Sequence, residues 1–424
     1  MTTSLQTLTP PGAGPDPANE RLDSQAGQGL RRDLDAILIL DGNTRSALAA
    51  TRSLGRKGVR VVVADETKRT LAGSSRYCSE TFAYPPPGTD SDAFIAAIRQ
   101  ECARRRVGVI FPMAEVSMAI VLSRRKELRG AAVPCVEAGT FDLISDKGQL
   151  VELAHRLGIR TPKTHFVGDR KSLRALYSRL EFPVVLKPCR SRIRSEGRWI
   201  SASVKYAGSV RELEEHIDRF AFLKLHPFLV QEYVPGRGHG IFALYDKGRP
   251  VAWFAHRRLR ERPPSGGVSV LSESVDCNPA ALRMARTLLD YVGWHGVAMV
   301  EFKVTREGVP YLMEVNGRFW GSLQLAIDAG VDFPWLLYQL ATGKTPDQVH
   351  RYARGVRSRW LLGDLASLYR TLSGNGSAFH LRPAHKAASV IQFLKLIDQR
   401  TRYEVNRWDD IKPFFFELSH CLGQ

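Results

Sequence analysis

Three stretches of the 424-residue chain predict an α/β protein whose middle turns to mixed α+β. Near the start, Ala36–Leu40 (AILIL), Thr44–Lys57 and Val59–Ala64 (VRVVVA) read as a buried strand, a helix and a second buried strand, one βαβ unit. Further on, GVAMVEFKV (Gly296–Val304) and VPYLMEVN (Val309–Asn316) alternate apolar and polar residues at period two, the pattern of paired strands. Residues 346–424 are basic, aromatic and mostly helical by pattern, with a break at Ser373–Ser377.

The strand pair carries the densest chemistry. Glu307-Gly308 between the strands is a candidate tight turn, and a two-residue turn sets Glu301 directly opposite Glu314. Asn316 then projects from the same face, while Val300, Phe302, Met313 and Val315 face a core. Two carboxylates and an amide oxygen form a hard-oxygen set suited to Mg2+, which completes its shell with water and phosphate oxygens. Arg318 lies just beyond, where its fork can meet a phosphate or acyl oxygen.

The pattern E-F-K … M-E-V-N-G-R-F-W-G-S resembles the metal-binding end of the ATP-grasp ligases, most closely their carboxylate–amine ligase branch with carbamoyl-phosphate-synthase-like domains. The resemblance runs from about Asp35 to Thr345. It implies an N-terminal βαβ pre-ATP-grasp domain at 34–140 and a two-lobed ATP-grasp core at 141–345. A tail at 1–33 and a helical C-terminal extension at 346–424 lie outside it. The tail is rich in Pro, Gly, Gln and Ser without hydrophobic periodicity and reads as disordered.

Bulk properties narrow the function less. With 61 Lys and Arg against 43 Asp and Glu, the net charge of +18 favours anionic partners such as ATP, nucleic acid or an acidic membrane. The six cysteines form no C-x-x-C pair, so neither a zinc site nor a disulfide framework is expected. The start, MTTSLQTLTPPGAG, lacks a basic residue and an apolar run, and no stretch reaches the ~18 apolar residues of a membrane span. The cytoplasm is the expected compartment.

Along the chain, the first βα turn reads DGNTRSALA where a dinucleotide fold would carry G-x-G-x-x-G, so nicotinamide or flavin binding is not expected. Ser91–Arg105 and Val107–Phe111 extend the first domain as helix and strand. Arg45 and Glu115 lie near its strand ends, where surface charge or help in enclosing substrate are equal readings. Asp146-Lys147 opens a helix, and the resemblance places Lys147 on the nucleotide phosphates. Lys187 ends the apolar strand FPVVLKP, where an unpartnered ammonium is costly, and the resemblance makes it the second nucleotide lysine. In CRSRIRSEGRWISAS, the family's glycine-rich flap has one glycine, Gly197, and four arginines (Arg190, Arg192, Arg194, Arg198), which a phosphate cover and a solvated basic loop explain equally.

Phe228–Val234 (FLVQEYV) is a strand, and the resemblance assigns Gln231, Glu232, Tyr233 and Val234 to an open edge that binds adenine. Gly238-His239-Gly240 stands where relatives place an acidic ribose contact. Ile241–Leu244 and Pro250–Ala255 make a hairpin about Asp246-Lys247-Gly248. Arg257, Arg258, Arg260 and Arg262 then flank the loop Pro263–Gly267, and Arg260 is the implied clamp on the carboxylate being activated. Gly343-Lys344-Thr345 is not a P-loop, because Tyr338 stands where a glycine is required.

The resemblance implies ATP with Mg2+, or Mn2+ as a substitute, and an ADP-forming ligase acting on a small carboxylate and an amine. Glu301, Glu314 and Asn316 are the metal set, Lys147, Lys187 and 231–234 the nucleotide set, Arg318 and Arg260 the catalytic set. The rivals are a basic nucleic-acid-binding protein, for which no recognisable module is found, a non-catalytic ATP-binding regulatory module, and an ATP-grasp kinase or carboxylase. No membrane span is expected; whether the C-terminal residues pack on the core, close a homodimer or dock a partner stays open.

Overall fold

The computed structural model describes residues 36–190, 192–195, 198–263, 266–347, 349, 351–373, 390–391, 393–394 and 400–422. The tail at 1–33, Gly197, and the part of the SGNGS break beyond Ser373 lie outside them.

The N-terminal unit holds β1 (Ala36–Ile39), α1 (Arg45–Arg56), β2 (Arg60–Asp65), β3 (Glu80–Ala83), α2 (Ser91–Arg105), β4 (Val107–Phe111), α3 (Glu115–Ser123) and α4 (Ala138–Ser145). Its sheet is parallel in the order β3-β2-β1-β4. Continuous apolar runs suit it because both faces are covered. The DGNT turn after β1 is structural: Asp41 accepts from the amides of Met113 and Ala114 at 2.8 Å and from Ser117 Oγ at 2.6 Å. Thr44 caps α1.

The next lobe comprises α5 (Lys147–Arg156), β5 (Thr164–Val167), α6 (Arg170–Arg174), β6 (Val184–Pro188), β7 (Arg192–Ser195), β8 (Arg198–Ser201), β9 (Lys205–Ala207), α7 (Val210–Arg219), α8 (Ala221–Leu225) and β10 (Phe228–Glu232). Its antiparallel sheet runs β5-β10-β6-β9, and β7 and β8 form a separate two-stranded hairpin. The lobe closes a core of its own around Leu186, Leu213 and Val230.

The second lobe is built from β11 (Arg237–Asp246), β12 (Arg249–Arg262), β13 (Val268–Ser274), α9 (Pro279–Tyr291), β14 (Gly296–Val304), β15 (Pro310–Asn316), α10 (Leu323–Asp328) and α11 (Phe333–Ala341). After it come β16 (Arg357–Arg359), α12 (Leu361–Ser373), β17 (Thr401–Tyr403) and α13 (Lys412–Leu422). One seven-stranded sheet runs β15-β14-β11-β12-β13-β16-β17. Lys247 and Gly248, both at positive φ, form the two-residue turn of the β11–β12 hairpin, with Asp246 opposite Arg249. This hairpin is longer than its apolar run, so the arginines at 257–262 lie on β12 itself rather than in a loop.

The C-terminal residues are not purely helical. β16 and β17 extend the second lobe's sheet, because Leu271, Ser272 and Glu273 leave an edge that residues 357–359 fill. The segment also docks on the N-terminal unit. Arg52, with no exposed surface, donates to Asp410 Oδ2 and to the carbonyls of Glu404, Val405 and Asp410, each at 2.8 Å. Both faces of the parallel sheet merge into cores shared with the second lobe, one around Leu38, Trp294 and Val300 and one around Val63, Phe319 and Phe333.

Candidate active site

β14 and β15 pair with Glu301 opposite Glu314, as the alternation requires, but the turn differs from the two-residue reading. Val304 pairs with Pro310, so the connection is one residue longer; the Thr305 amide donates to Val309 O, and Gly308 takes the left-handed conformation at φ +82°. A bulge between Glu301 and Phe302 on this ladder restores the pairing. It also moves Met313 out of the core: Leu312 and Val315 are buried, whereas Met313 is half-buried and meets Lys187 Nζ at 3.6 Å.

Lys187 reaches this point from the other lobe. β6 lies between β10 and β9, inside its sheet rather than at an edge. Lys147, at the start of α5, is buried and places Nζ 3.3 Å from Glu314 Oε2. Asp146 fixes that helix start by accepting from the amides of Gly148 and Gln149. Burial pushes the Lys187 ammonium down to about 8; Glu314 opposes the shift and Lys147 adds to it. Burial raises the Glu314 carboxyl, but Lys147 and Lys187 override that and hold it well below the carboxylate range. Glu301 moves the other way, raised by burial against the pull of Arg258 and raised further by Glu314.

Arg258 is the site residue that the sequence pattern did not single out among the arginines of β12. Its Nη2 donates to Glu301, its Nη1 to Glu261 Oε1 at 2.9 Å and to Gly267 O at 3.1 Å, and its Nε is buried without a partner among the described residues. Counting outward from the Lys247-Gly248 turn would have approached it, but a bulge at Leu244/Tyr245 breaks the count. Arg260 is not held free for a carboxylate. Its Nε donates to Asp364 Oδ1 at 2.8 Å and its Nη2 to Oδ2, so it is committed to α12.

Arg318 donates to Asn316 Oδ1 at 3.3 Å and to Phe319 O at 3.0 Å, while Asn316 Nδ2 donates to Glu314 Oε1. Lys147, Glu314, Asn316 and Arg318 line one cleft with Glu115, which the N-terminal unit supplies from the start of α3. Arg45 does not line this cleft; it pairs with Glu404 and lies over Trp360 at 4.1 Å.

The adenine edge needs correction. β10 is an interior strand: Gln231 pairs with both Thr164 and Val185, and Glu232 Oε1 accepts from the Lys163 amide at 2.9 Å. Tyr233 and Val234 follow the strand's end and begin the connection to β11.

The donor set fits Mg2+. Two carboxylates opposed across one ladder repel unless a cation sits with them, and here Lys147 and Arg258 supply positive charge from the flanks. Among the described residues no group of three or more His, Cys, Asp or Glu is placed to hold a metal, so the set depends on the Asn316 amide oxygen for its third protein donor.

Residues 224–363 match a family profile described as ATP-grasp in the biosynthetic pathway with Ter operon. The chain has an ATP-grasp fold. An L-amino acid ligase from Bacillus licheniformis superposes with TM-score 0.59 at 17% identity, over 74% of this chain and 76% of that one. An N5-carboxyaminoimidazole ribonucleotide synthetase in its ADP complex gives 0.62 at 13%, over 85% and 96%. A biotin carboxylase from Campylobacter jejuni gives 0.59 at 16%, over 78% and 75%. No curated protein matches by sequence. Among the described residues, no helix is long and apolar enough to cross a membrane.

Proposed function

We propose that the chain is an ATP-dependent, ADP-forming ligase that activates a carboxylate as an acyl phosphate and joins it to an amine. One observation carries the reading: separate elements converge on Glu314, with Lys147 of α5 beside it at the cleft, Glu301 opposite it on β14, and Lys187 of β6 reaching its neighbour Met313. Phosphoryl transfer asks the protein mainly for positioning and charge, which is what this set offers. In the reaction, a carboxylate oxygen attacks the γ-phosphorus and ADP leaves. The amine nitrogen then attacks the acyl carbon, phosphate leaves, and the nitrogen gives up a proton.

Lys147 and Lys187 hold the transferring phosphates, and Tyr233 and Val234, linking the lobes, carry the adenine with Gln231 and Glu232 behind them. Glu301, Glu314 and the Asn316 oxygen would hold Mg2+, which supplies neutralising charge to the phosphoryl group. Arg318 steadies the acyl oxygens. The Glu115 side chain has no hydrogen-bond or ion-pair partner among the described residues and lines the same cleft, where a carboxylate suits the incoming amine. Arg260 keeps no catalytic part in this reading. Solved structures of the same fold include an L-amino acid ligase and a carboxyaminoimidazole ribonucleotide synthetase, which favours carboxylate–amine joining.

The test is ADP and phosphate release with MgATP over pairs of amino acids, small acids and amines. A pair that releases ADP and yields the amide is the expected result. Protein that binds MgATP but forms no amide and releases no ADP with any pair would defeat the ligase assignment.

A further inference from the structure

Three consecutive residues of β12 are gripped from the C-terminal segment. Arg260 makes a two-pronged pair with Asp364, which also accepts from Arg359 Nε at 2.7 Å. The Glu261 carbonyl accepts from Ser367 Oγ at 2.7 Å. The Arg262 guanidinium lies 4.7 Å over the ring of Trp360. Asp364, Ser367 and Arg359 are all buried, and Trp360 N donates to Val270 O, which ties the same segment to β13. Two residues before this grip stands Arg258, whose fork joins Glu301 to Glu261.

We propose that the C-terminal segment is part of the working site, with Asp364 and Ser367 as positioning residues that hold β12 so that Arg258 meets Glu301. The inference rests on the metal and nucleotide reading above. β12 departs from regular pairing at 258/260 and again at 260/261, so the ladder to β13 alone leaves the strand's course at these residues loosely set. The Asp364 carboxylate and the Ser367 hydroxyl supply the lost constraint from α12. A side chain one step behind a ligand orients it, and losing such a partner typically weakens metal affinity about 10–100-fold.

The experiment is calorimetric titration of the full chain with MgATP, run with melting curves, for wild type, Asp364→Asn, Asp364→Glu and Ser367→Ala. Each is made with Arg258 intact and with Arg258→Gln. Arg258→Gln should weaken MgATP about 10–100-fold, Asp364→Asn should give part of that loss, Asp364→Glu should recover most of it, and Ser367→Ala should give a smaller loss in the same direction. With Arg258→Gln already present, none of them should weaken binding further, although their effect on melting stays. Ser367→Ala removes one hydroxyl and Asp364→Glu keeps the charge, so these two decide the matter if Asp364→Asn does not fold. The proposal is overturned if the variants melt earlier but bind MgATP as wild type does, or if they lose affinity equally in both backgrounds. Wild-type protein that binds no MgATP would instead sink the nucleotide reading, and this inference with it.

Discussion

Lys187 offers the sharpest test of the cleft, because burial places its titration inside an accessible pH range. With the ammonium pushed down to about 8, the free protein holds it mostly charged at neutral pH and mostly neutral at pH 9. If phosphate oxygens need that charge, apparent nucleotide affinity falls with rising pH, approaching about tenfold, or about 1.4 kcal/mol, per unit above 8. Between pH 7.5 and 9.5 the nucleotide's own charge is constant, which isolates the lysine. The assay is fluorescence titration with ADP across that range, for wild type and Lys187→Arg, whose guanidinium stays charged. Wild type should weaken with pH and the variant should not. Equal pH slopes in the two proteins would refute the assignment of Lys187 to the phosphates. The sign for stability is opposite. The folded value is lowered from the ordinary 10.5, so the unfolded chain binds more protons between about 8 and 10.5, and the nucleotide-free protein gains stability as pH rises through that window.

Glu314→Gln should abolish ADP release while the circular dichroism spectrum stays that of the folded chain, with a lower melting midpoint because buried Lys147 loses its carboxylate; normal turnover in that variant would remove Glu314 from the metal set. Arg52→Met should cost about 3–5 kcal/mol in urea unfolding, because Asp410 stays buried with its main partner gone. Gly317→Ala should lower melting temperature and activity together, as the added methyl carbon would stand 2.8 Å from Trp294 Cη2 beside the cleft. Chelation with EDTA should stop ADP release without changing the circular dichroism spectrum, and turnover that persists would exclude a divalent cation from the reaction.

Much of the candidate site was legible along the chain because its residues stand out against their surroundings. Lys187 ends an apolar strand, and Glu301 and Glu314 sit at alternate positions of strands that otherwise bury Val and Phe. Their pairing followed from period-two alternation and a correctly placed turn. The expected turn was one residue short and a bulge made up the difference, so the register was right although Met313 ended on the cleft side. Bulges obey the balance of neighbouring ladders, which no local pattern records.

Residue order and side-chain type alone determined the βαβ start, the hairpin of opposed acids and the two lysines, since burial and alternation are local demands on each segment. Only tertiary structure decided which arginine of β12 meets Glu301, that β10 is interior, and that the C-terminal residues add strands and hold β12. Arg258 and Arg260 are chemically identical and two positions apart. What separates them is which carboxylate each meets, Glu301 on β14 or Asp364 on α12, and those partners lie 43 and 104 residues away.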